Sequence, residues 1–356
     1  MTSPITARQL NRATLARQHL LARAPLTALQ MIEHLVGMQS QDPQAAYGGL
    51  WARIENFDPH ELSALIETRQ AVRIMAMRST IHLFSADDCR GLRPLMQPML
   101  DRVCLPVRVR QAVGDVDELE QRTRELLSAG PLNATVLNRA VAAHYPDATV
   151  DQIGLAVRGH VPLVQVPPRA LWGRGGQTTY VTAEDWLGAP LRAHDLKDVI
   201  RRYLGAFGPA SVADVQAWCK LTRLREITDA MTDLVHLQDG LLDLPDAPRP
   251  PEDAPAPVRM LSEFDNLLLS HADRTRVVSD DDRQRMATLN GIVPATVLVD
   301  GRVAASWRLD RRQKLLTVTP FRRLPKRDLS AIEDEAHRAA GFQQPGSEVR
   351  MLPFDR

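Results

Sequence analysis

ARAPLTALQMIEHL (22–35), SAGPLNATVLNRAV (128–141) and GAFGPASVADVQAW (205–218) are three versions of one pattern. Each has a small residue and a proline, then a short polar stretch able to cap a helix, then apolar residues at helical spacing. Each follows an amphipathic, arginine-containing helix: RQLNRATLARQHLLAR (8–23), ELEQRTRELLSA (118–129) and LKDVIRRYLGAF (196–207). A third helix comes next, at HELSALIETR (60–69), DQIGLAVRG (151–159) and RLREITDAMTDL (223–234). Two short β-prone runs close each copy. They are AVRIM (71–75) with STIHLF (79–84), PLVQVP (162–167) with TTYVT (178–182), and LVHLQ (234–238) with LLDLP (241–245). The last pair is joined by Asp239-Gly240, a strong hairpin signal.

Three helices and a hairpin make the winged helix-turn-helix plan. The sequence therefore predicts an α+β chain with three tandem winged-helix units, at 1–110, 111–190 and 191–246. LPDAPRPPEDAPAPV (244–258), rich in proline and acid, reads as a linker. Residues 247–356 are expected to form a small β-rich C-terminal domain. Its strands would come from MLSEFDNLLLSHADRTRVV (260–278), ATVLVDGRVAASWRLD (295–310) and KLLTVTPFRRL (314–324), with a turn at Asp300-Gly301. One helix, 328–340, would end before Gly341.

At 356 residues, with 44% hydrophobic and 24% charged residues, the composition is that of a soluble globular chain. The N-terminal MTSPITARQLNRATLARQHLLAR has no apolar core of a secretory leader, and no apolar run is long enough to span a bilayer. A cytoplasmic protein without a membrane partner is expected. Cys89, Cys104 and Cys219 are isolated, and no HExxH or HxxxH pair occurs among the histidines, so neither metal nor cofactor is expected. Net charge is only +1, but the charges are segregated. Arg8, Arg12, Arg17 and Arg23 stand in an acid-free N-terminal run. Arg302, Arg308, Arg311, Arg312, Lys314, Arg322, Arg323, Lys326 and Arg327 crowd 302–327. Such runs suit a basic face for nucleic-acid phosphates, or equally a solvated mixed surface.

The stretch that bears on chemistry is HLVGMQSQDPQAAYGGLWARI (34–54). Gly37 reads as a helix stop, and Asp42-Pro43 as the N-cap and first residue of the next helix. Gln39 and Gln41 then fall in a tight loop between them. In an extended segment, side chains two apart share a face, so two amides could hold one water or one polar group. On the residues alone, loop packing or capping explains the pair better than catalysis does.

These features resemble the winged-helix DNA glycosylases of the AlkZ and YcaQ kind, bacterial enzymes that release N7-alkylated purines and unhook interstrand crosslinks. The resemblance runs over nearly the whole chain. It rests on the QxQ at 39–41, RSTIHLF (78–84), FGPAS (207–211) and SEFDNLLLSHADR (262–274). Ser40 departs from the family pattern, which usually has an apolar residue there. The resemblance implies that Gln39 and Gln41 are catalytic, that the partner is double-stranded DNA with alkylated purines, and that Arg78 and His82 contact DNA or lesion, although a satisfied structural histidine explains His82 equally well. His271, Arg274 and Arg276 follow the apolar run NLLLS (266–270) and are expected at a hairpin tip that probes a groove or, more modestly, contacts phosphate. Arg311, Arg312, Lys314, Arg322 and Arg323 supply the basic run for phosphates.

The chemistry is self-consistent. An N7-alkylguanine is already cationic and leaves without a general acid, so the enzyme mainly orients water and stabilises the sugar cation. Glutamine carbonyls suit that task, though they are poor bases beside a carboxylate. Asp42 is the nearest carboxylate, with capping as its expected role. A monomer is expected, in self-protection against a genotoxin or in general repair. The competing reading is a non-enzymatic winged-helix transcription regulator, since this fold most often binds DNA for regulation.

Overall fold

The computed structural model describes residues 5–286 and 292–354. Residues 1–4 of the N-terminal run lie outside them. The three repeated segments fold alike. Thr27, Asn133 and Ser211, each two residues after the proline, cap the helices Ala28–His34, Ala134–Ala142 and Val212–Cys219 with their side chains. Thr27 and Ser211 do so reciprocally, accepting from the third helical N–H while Gln30 and Asp214 reach back. The preceding helices run Ala7–Arg17, Val116–Leu127 and Leu196–Phe207, and the following ones Pro59–Glu67, Val150–His160 and Leu224–Thr228. The last is shorter than its sequence pattern predicts. A further helix, Ala45–Trp51, follows the QxQ stretch. Ala86–Leu95, Gln97–Cys104, Val107–Val113 and Ala183–Leu187 are helices outside the repeat.

The strands are β1 (Met38–Gln39), β2 (Ala71–Met75), β3 (Ile81–Ser85), β4 (Leu132–Asn133), β5 (Leu163–Gln165) and β6 (Thr179–Thr182). They continue with β7 (Ala210–Ser211), β8 (Val235–His236), β9 (Leu241–Asp243), β10 (Arg259–Leu261), β11 (Thr296–Val299), β12 (Arg302–Asp310), β13 (Leu315–Pro320) and β14 (Glu348–Met351). Three sheets result, ordered β1-β3-β2-β5-β6-β4, β7-β9-β8 and β10-β11-β12-β13-β14. The strand pairs of the first two repeats are not separate: β2 pairs antiparallel with β5 through Arg73↔Gln165 and Ile74↔Val164. One apolar core runs from Val72 and Ile74 through Val164 and Val181 to Tyr203, Phe207 and Trp218, joining all three repeats. At Asp239-Gly240 and Asp300-Gly301 both residues take positive φ, as two-residue hairpin turns require.

The C-terminal sheet is backed by the helix Lys326–Gln343, whose Ile332, Ala336, Ala339 and Ala340 pack on Met260, Val297 and Leu316. This helix passes through Gly341 rather than stopping before it. Only Arg259–Leu261 of the 260–278 region is strand; Asn266–Leu268 is a single 3₁₀ turn and the rest is irregular. The expected hairpin there is absent because its alternate residues have no partner strand. Its polar side chains turn inward instead. No helix among the described residues is long and apolar enough to cross a membrane.

Candidate functional site

The chain enters the site by a sharp reversal. After Ala28–His34, Val36 and Gly37 both take positive φ. A Cβ at Gly37 would stand 2.2 Å from the Phe84 ring, so only glycine fits. β1 then pairs with β3, setting Met38 against Leu83 and Gln39 against His82, and the Ser40 N–H continues the ladder to the Ile81 carbonyl at 2.8 Å. Gln39 therefore ends β1, while Gln41 stands in the bend just beyond it.

Both amides are oriented by protein donors. Gln39 is buried; its Oε1 accepts from Arg78 Nη2 at 2.8 Å, and its backbone N–H donates to Asn266 Oδ1 at 3.2 Å. Gln41 is exposed, and its Oε1 accepts from the Ile81 N–H at 3.1 Å. Each carbonyl oxygen keeps a second lone pair. Asp42 caps a turn, its Oδ1 accepting from the Gln44 N–H at 2.7 Å, and the helix begins only at Ala45. Asp42-Pro43 is thus a turn rather than the helix start read from sequence.

Ser40 explains its own departure from the family pattern. It is 1% exposed, and both its Oγ and its carbonyl accept from the Arg73 guanidinium, at 3.0 and 2.7 Å. Arg73 also donates to Gln165 Oε1 at 2.8 Å. Burial, and next the charge of Arg169, lower its pKa to about 10, which leaves it charged at neutral pH. A polar residue at 40 and an arginine in the core of β2 belong together.

Arg78 takes positive φ in the β2–β3 turn. Besides Gln39, it donates to the Trp218 carbonyl at 2.7 Å and faces His82 Nε2 at 3.1 Å. His82 is 1% exposed, with Nδ1 against the Thr80 carbonyl, so its ring is a neutral link inside the site and not a DNA-facing group. Burial, reinforced by Arg78, pushes its pKa down to about 3.

The SEFDN stretch was expected as strand and contributes instead to the site's frame. Asn266, buried, donates to the Gly37 carbonyl at 2.7 Å while accepting from Gln39. Asp265 makes a buried two-pronged pair with Arg53, at 2.8 and 2.7 Å. Ser262 approaches the helix Ala45–Trp51 so closely that a Cβ at Gly48 would be 2.2 Å from its Oγ. None of these three stood out in sequence as a positioning residue; only the motif as a whole did.

The expected groove-probing tip is also revised. His271 is 1% exposed and its Nε2 meets the Phe207 carbonyl at 2.9 Å. Arg276 is buried, donating to the Pro209 carbonyl and Thr14 Oγ1. Only Arg274 of the three is half-buried with its guanidinium outside any ion pair among the described residues. The N-terminal arginines do not form a phosphate face either. Arg17 pairs with buried Asp243 at 2.7 Å, Arg8 and Arg12 pair with Asp300, and Arg23 pairs with Glu335 while lying over the Trp51 ring. The acids missing from 8–23 arrive from the far end of the chain.

The later basic run divides. Arg311 donates to the carbonyl and the side chain of Gln343, and Arg322 pairs with Asp282 at 2.6 Å. Arg312, Lys314 and Arg323 are exposed and outside any ion pair among the described residues. Arg311, Arg312 and Lys314 occupy the β12–β13 turn, with Arg322 and Arg323 beyond the opposite end of β13, so the run makes two clusters.

Beside Asp42 lies a cleft of about 230 Å³ lined by Gln44, Glu263, Trp307, Arg308 and Arg311 among others. Partial burial, and then Asp42, raise the Glu263 carboxyl above its ordinary range, with Arg311 opposing. The arrangement offers two fixed amides, a cation, Arg78, without a carboxylate partner among the described residues, and an adjoining cleft. It can orient a water and accept an anionic backbone.

Over 94% of this chain and 95% of its own length, an interstrand DNA cross-link repair glycosylase of Streptomyces sahachiroi is 25% identical to it. The solved structure of the DNA glycosylase AlkZ from Streptomyces sahachiroi superposes with a TM-score of 0.76 at 22% identity, covering 98% of this chain and 100% of that one, which makes the fold the same. The model of the AlkZ-like DNA glycosylase family matches residues 32–342, and the chain belongs to that family.

Proposed function

We propose that this DNA glycosylase hydrolyses the N-glycosidic bond of cationic N7-alkylated purines in duplex DNA, bulky adducts and interstrand crosslinks included. Gln39 and Gln41 orient the attacking water. The observation that carries this reading is their placement, two apart at and just beyond the end of β1, with Gln39 registered against His82 and the Gln41 amide aimed by the Ile81 N–H. Neutral amides suit a leaving group that is already a cation, because no proton has to be delivered to it. Crosslink repair is the activity for which the Streptomyces sahachiroi relative is named. A base tethered to the opposite strand cannot swing fully into a closed pocket, and a site on a sheet edge beside an open cleft accommodates it.

The three repeats are read as winged helices, with boundaries at 110, 190 and 246, and the C-terminal part beyond them presents Arg274, Arg312, Lys314 and Arg323 to phosphates. The protein acts as a monomer without metal or cofactor. The test is incubation with a duplex carrying N7-methylguanine, followed by detection of abasic sites. Release above spontaneous depurination is expected, and Gln39→Ala and Gln41→Ala should each slow it about 100-fold with duplex binding retained. An equally active double variant would move catalysis elsewhere, with Asp42 and Glu263 next in line.

A further inference from the structure

Arg78 is a half-buried cation whose three partners, the Trp218 carbonyl, Gln39 Oε1 and His82 Nε2, are all uncharged. No carboxylate pairs with it among the described residues. Arg274 donates to the His271 carbonyl at 3.5 Å, and His271 and Trp218 flank the same Phe207 ring, which brings Arg274 toward Arg78. Burial, and then the charge of Arg274, lower the Arg78 pKa to about 10. Arg274, itself without a carboxylate partner among the described residues, and exposed Lys220, two residues from Trp218, add further positive charge on the Trp218 side of the site.

This arrangement conflicts with catalysis in the free protein. Arg78 draws electron density from the carbonyl that is to hold the water. It also places a full positive charge next to a sugar that becomes cationic in the transition state. A DNA phosphate resolves both conflicts at once, since a guanidinium–phosphate pair is charge-assisted on both sides and stronger than a bond to a neutral amide.

We propose that a backbone phosphate of the bound duplex seats between Arg78 and Arg274 and draws Arg78 off Gln39. This restores the full acceptor strength of the Gln39 carbonyl toward water only when DNA is in place. The inference rests on Gln39 orienting the water, and assigns Arg78 as a positioning residue that acts through it. It also explains why a site using no carboxylate base carries an unneutralised cation.

The test compares wild type with Arg78→Met, Arg78→Lys and Arg274→Gln. Duplex affinity is measured across salt concentrations, and single-turnover release of N7-methylguanine across enzyme concentrations. Arg78→Met and Arg274→Gln should each flatten the log–log salt dependence of binding by about one unit, while Arg78→Lys keeps the wild-type slope. Because DNA no longer has to pull Arg78 away, the loss in Arg78→Met should appear mainly in the half-saturating enzyme concentration. An about tenfold rise is expected there, with the saturating rate within about threefold of wild type.

A saturating rate that collapses with the salt slope unchanged overturns the proposal, making Arg78 a fixed support of Gln39. Collapse of both overturns the exchange, because Gln39 then needs Arg78 in the bound state. If Arg78→Met does not fold, Arg274→Gln with an unaltered slope overturns the phosphate seat. If wild type releases no base, the glycosylase chemistry proposed above fails separately, since the slopes still report whether Arg78 and Arg274 hold a phosphate.

Discussion

Asn266 holds Gln39 from 227 residues downstream, accepting its backbone N–H while donating to the Gly37 carbonyl at 2.7 Å. The glutamine proposed to orient water is therefore fixed by the C-terminal part of the chain. Asn266→Ala leaves two buried backbone groups unpaired and should cost about 2–3 kcal/mol in urea unfolding. Single-turnover base release should fall at least about tenfold, since the strand end that aims Gln39 is loosened. Duplex affinity should change far less. A variant that loses stability but keeps the wild-type rate would show that the clamp is not needed for aim.

Ser40 and Arg73 form the second relationship open to test. Ser40→Val, which restores the apolar residue of the family pattern, strips the buried guanidinium of one acceptor and crowds it. A loss of about 2–3 kcal/mol is expected. Adding Arg73→Met should recover part of that loss, because the two residues share one network. Additive losses in denaturant titrations would disprove the coupling.

Acid should unfold the protein through buried histidines. His82 at about 3, His19 at about 4 and His271, also depressed, all lie below the ordinary 6.5, each chiefly through burial. The unfolded chain thus binds more protons than the folded one as pH falls below about 6.5, and stability drops from there toward the folded values. His160, raised by Glu120 and Asp101, works in the opposite direction. Between pH 6.5 and 5, His82 alone should account for about 2 kcal/mol. His82→Asn should flatten the pH dependence of the urea midpoint in that window, and an unchanged curve would refute the assignment.

The divided basic run predicts two kinds of arginine variant. Replacing Arg312 and Lys314 by glutamine should reduce the salt dependence of duplex binding by about 0.9 for each phosphate no longer neutralised, with little change in thermal stability. Arg17→Gln should do the reverse, since Arg17 and Asp243 are both wholly buried and the mutation leaves that carboxylate with Arg249, at 2.9 Å, as its remaining cation. A fall in salt slope for Arg17→Gln would return the N-terminal run to the DNA face.

Much of this was legible because it is local. Proline followed two residues later by Thr27, Asn133 or Ser211 marks a helix start by side-chain chemistry, and Asp239-Gly240 and Asp300-Gly301 mark turns by their tolerance of positive φ. The family of the chain was legible from its motifs, Gln39 and Gln41 among them. What could not be read were pairings across sequence distance. A run of arginines looks free until Asp243, Asp300 and Glu335 arrive from elsewhere in the chain. The pairing of β2 with β5 likewise depends on which sheet edges meet, which no single repeat encodes. SEFDNLLLSH was misread as strand because buried polar side chains imitate the alternation of a half-buried one.

One consequence follows from β1 lying at the end of its sheet. Such an end normally exposes a row of unpaired peptide groups that invites another chain to add a strand. The carboxamide of Asn266 has the same two groups as a peptide, one donor and one acceptor, and spends them on the Gly37 carbonyl and the Gln39 N–H, the pair flanking Met38. That is the bonding pattern a parallel neighbour would use. A single side chain thus stands in for a seventh strand, closing the sheet against self-association while taking up almost no width. A real strand there would cover the ground beside Gln39 on which the proposed reading places damaged DNA.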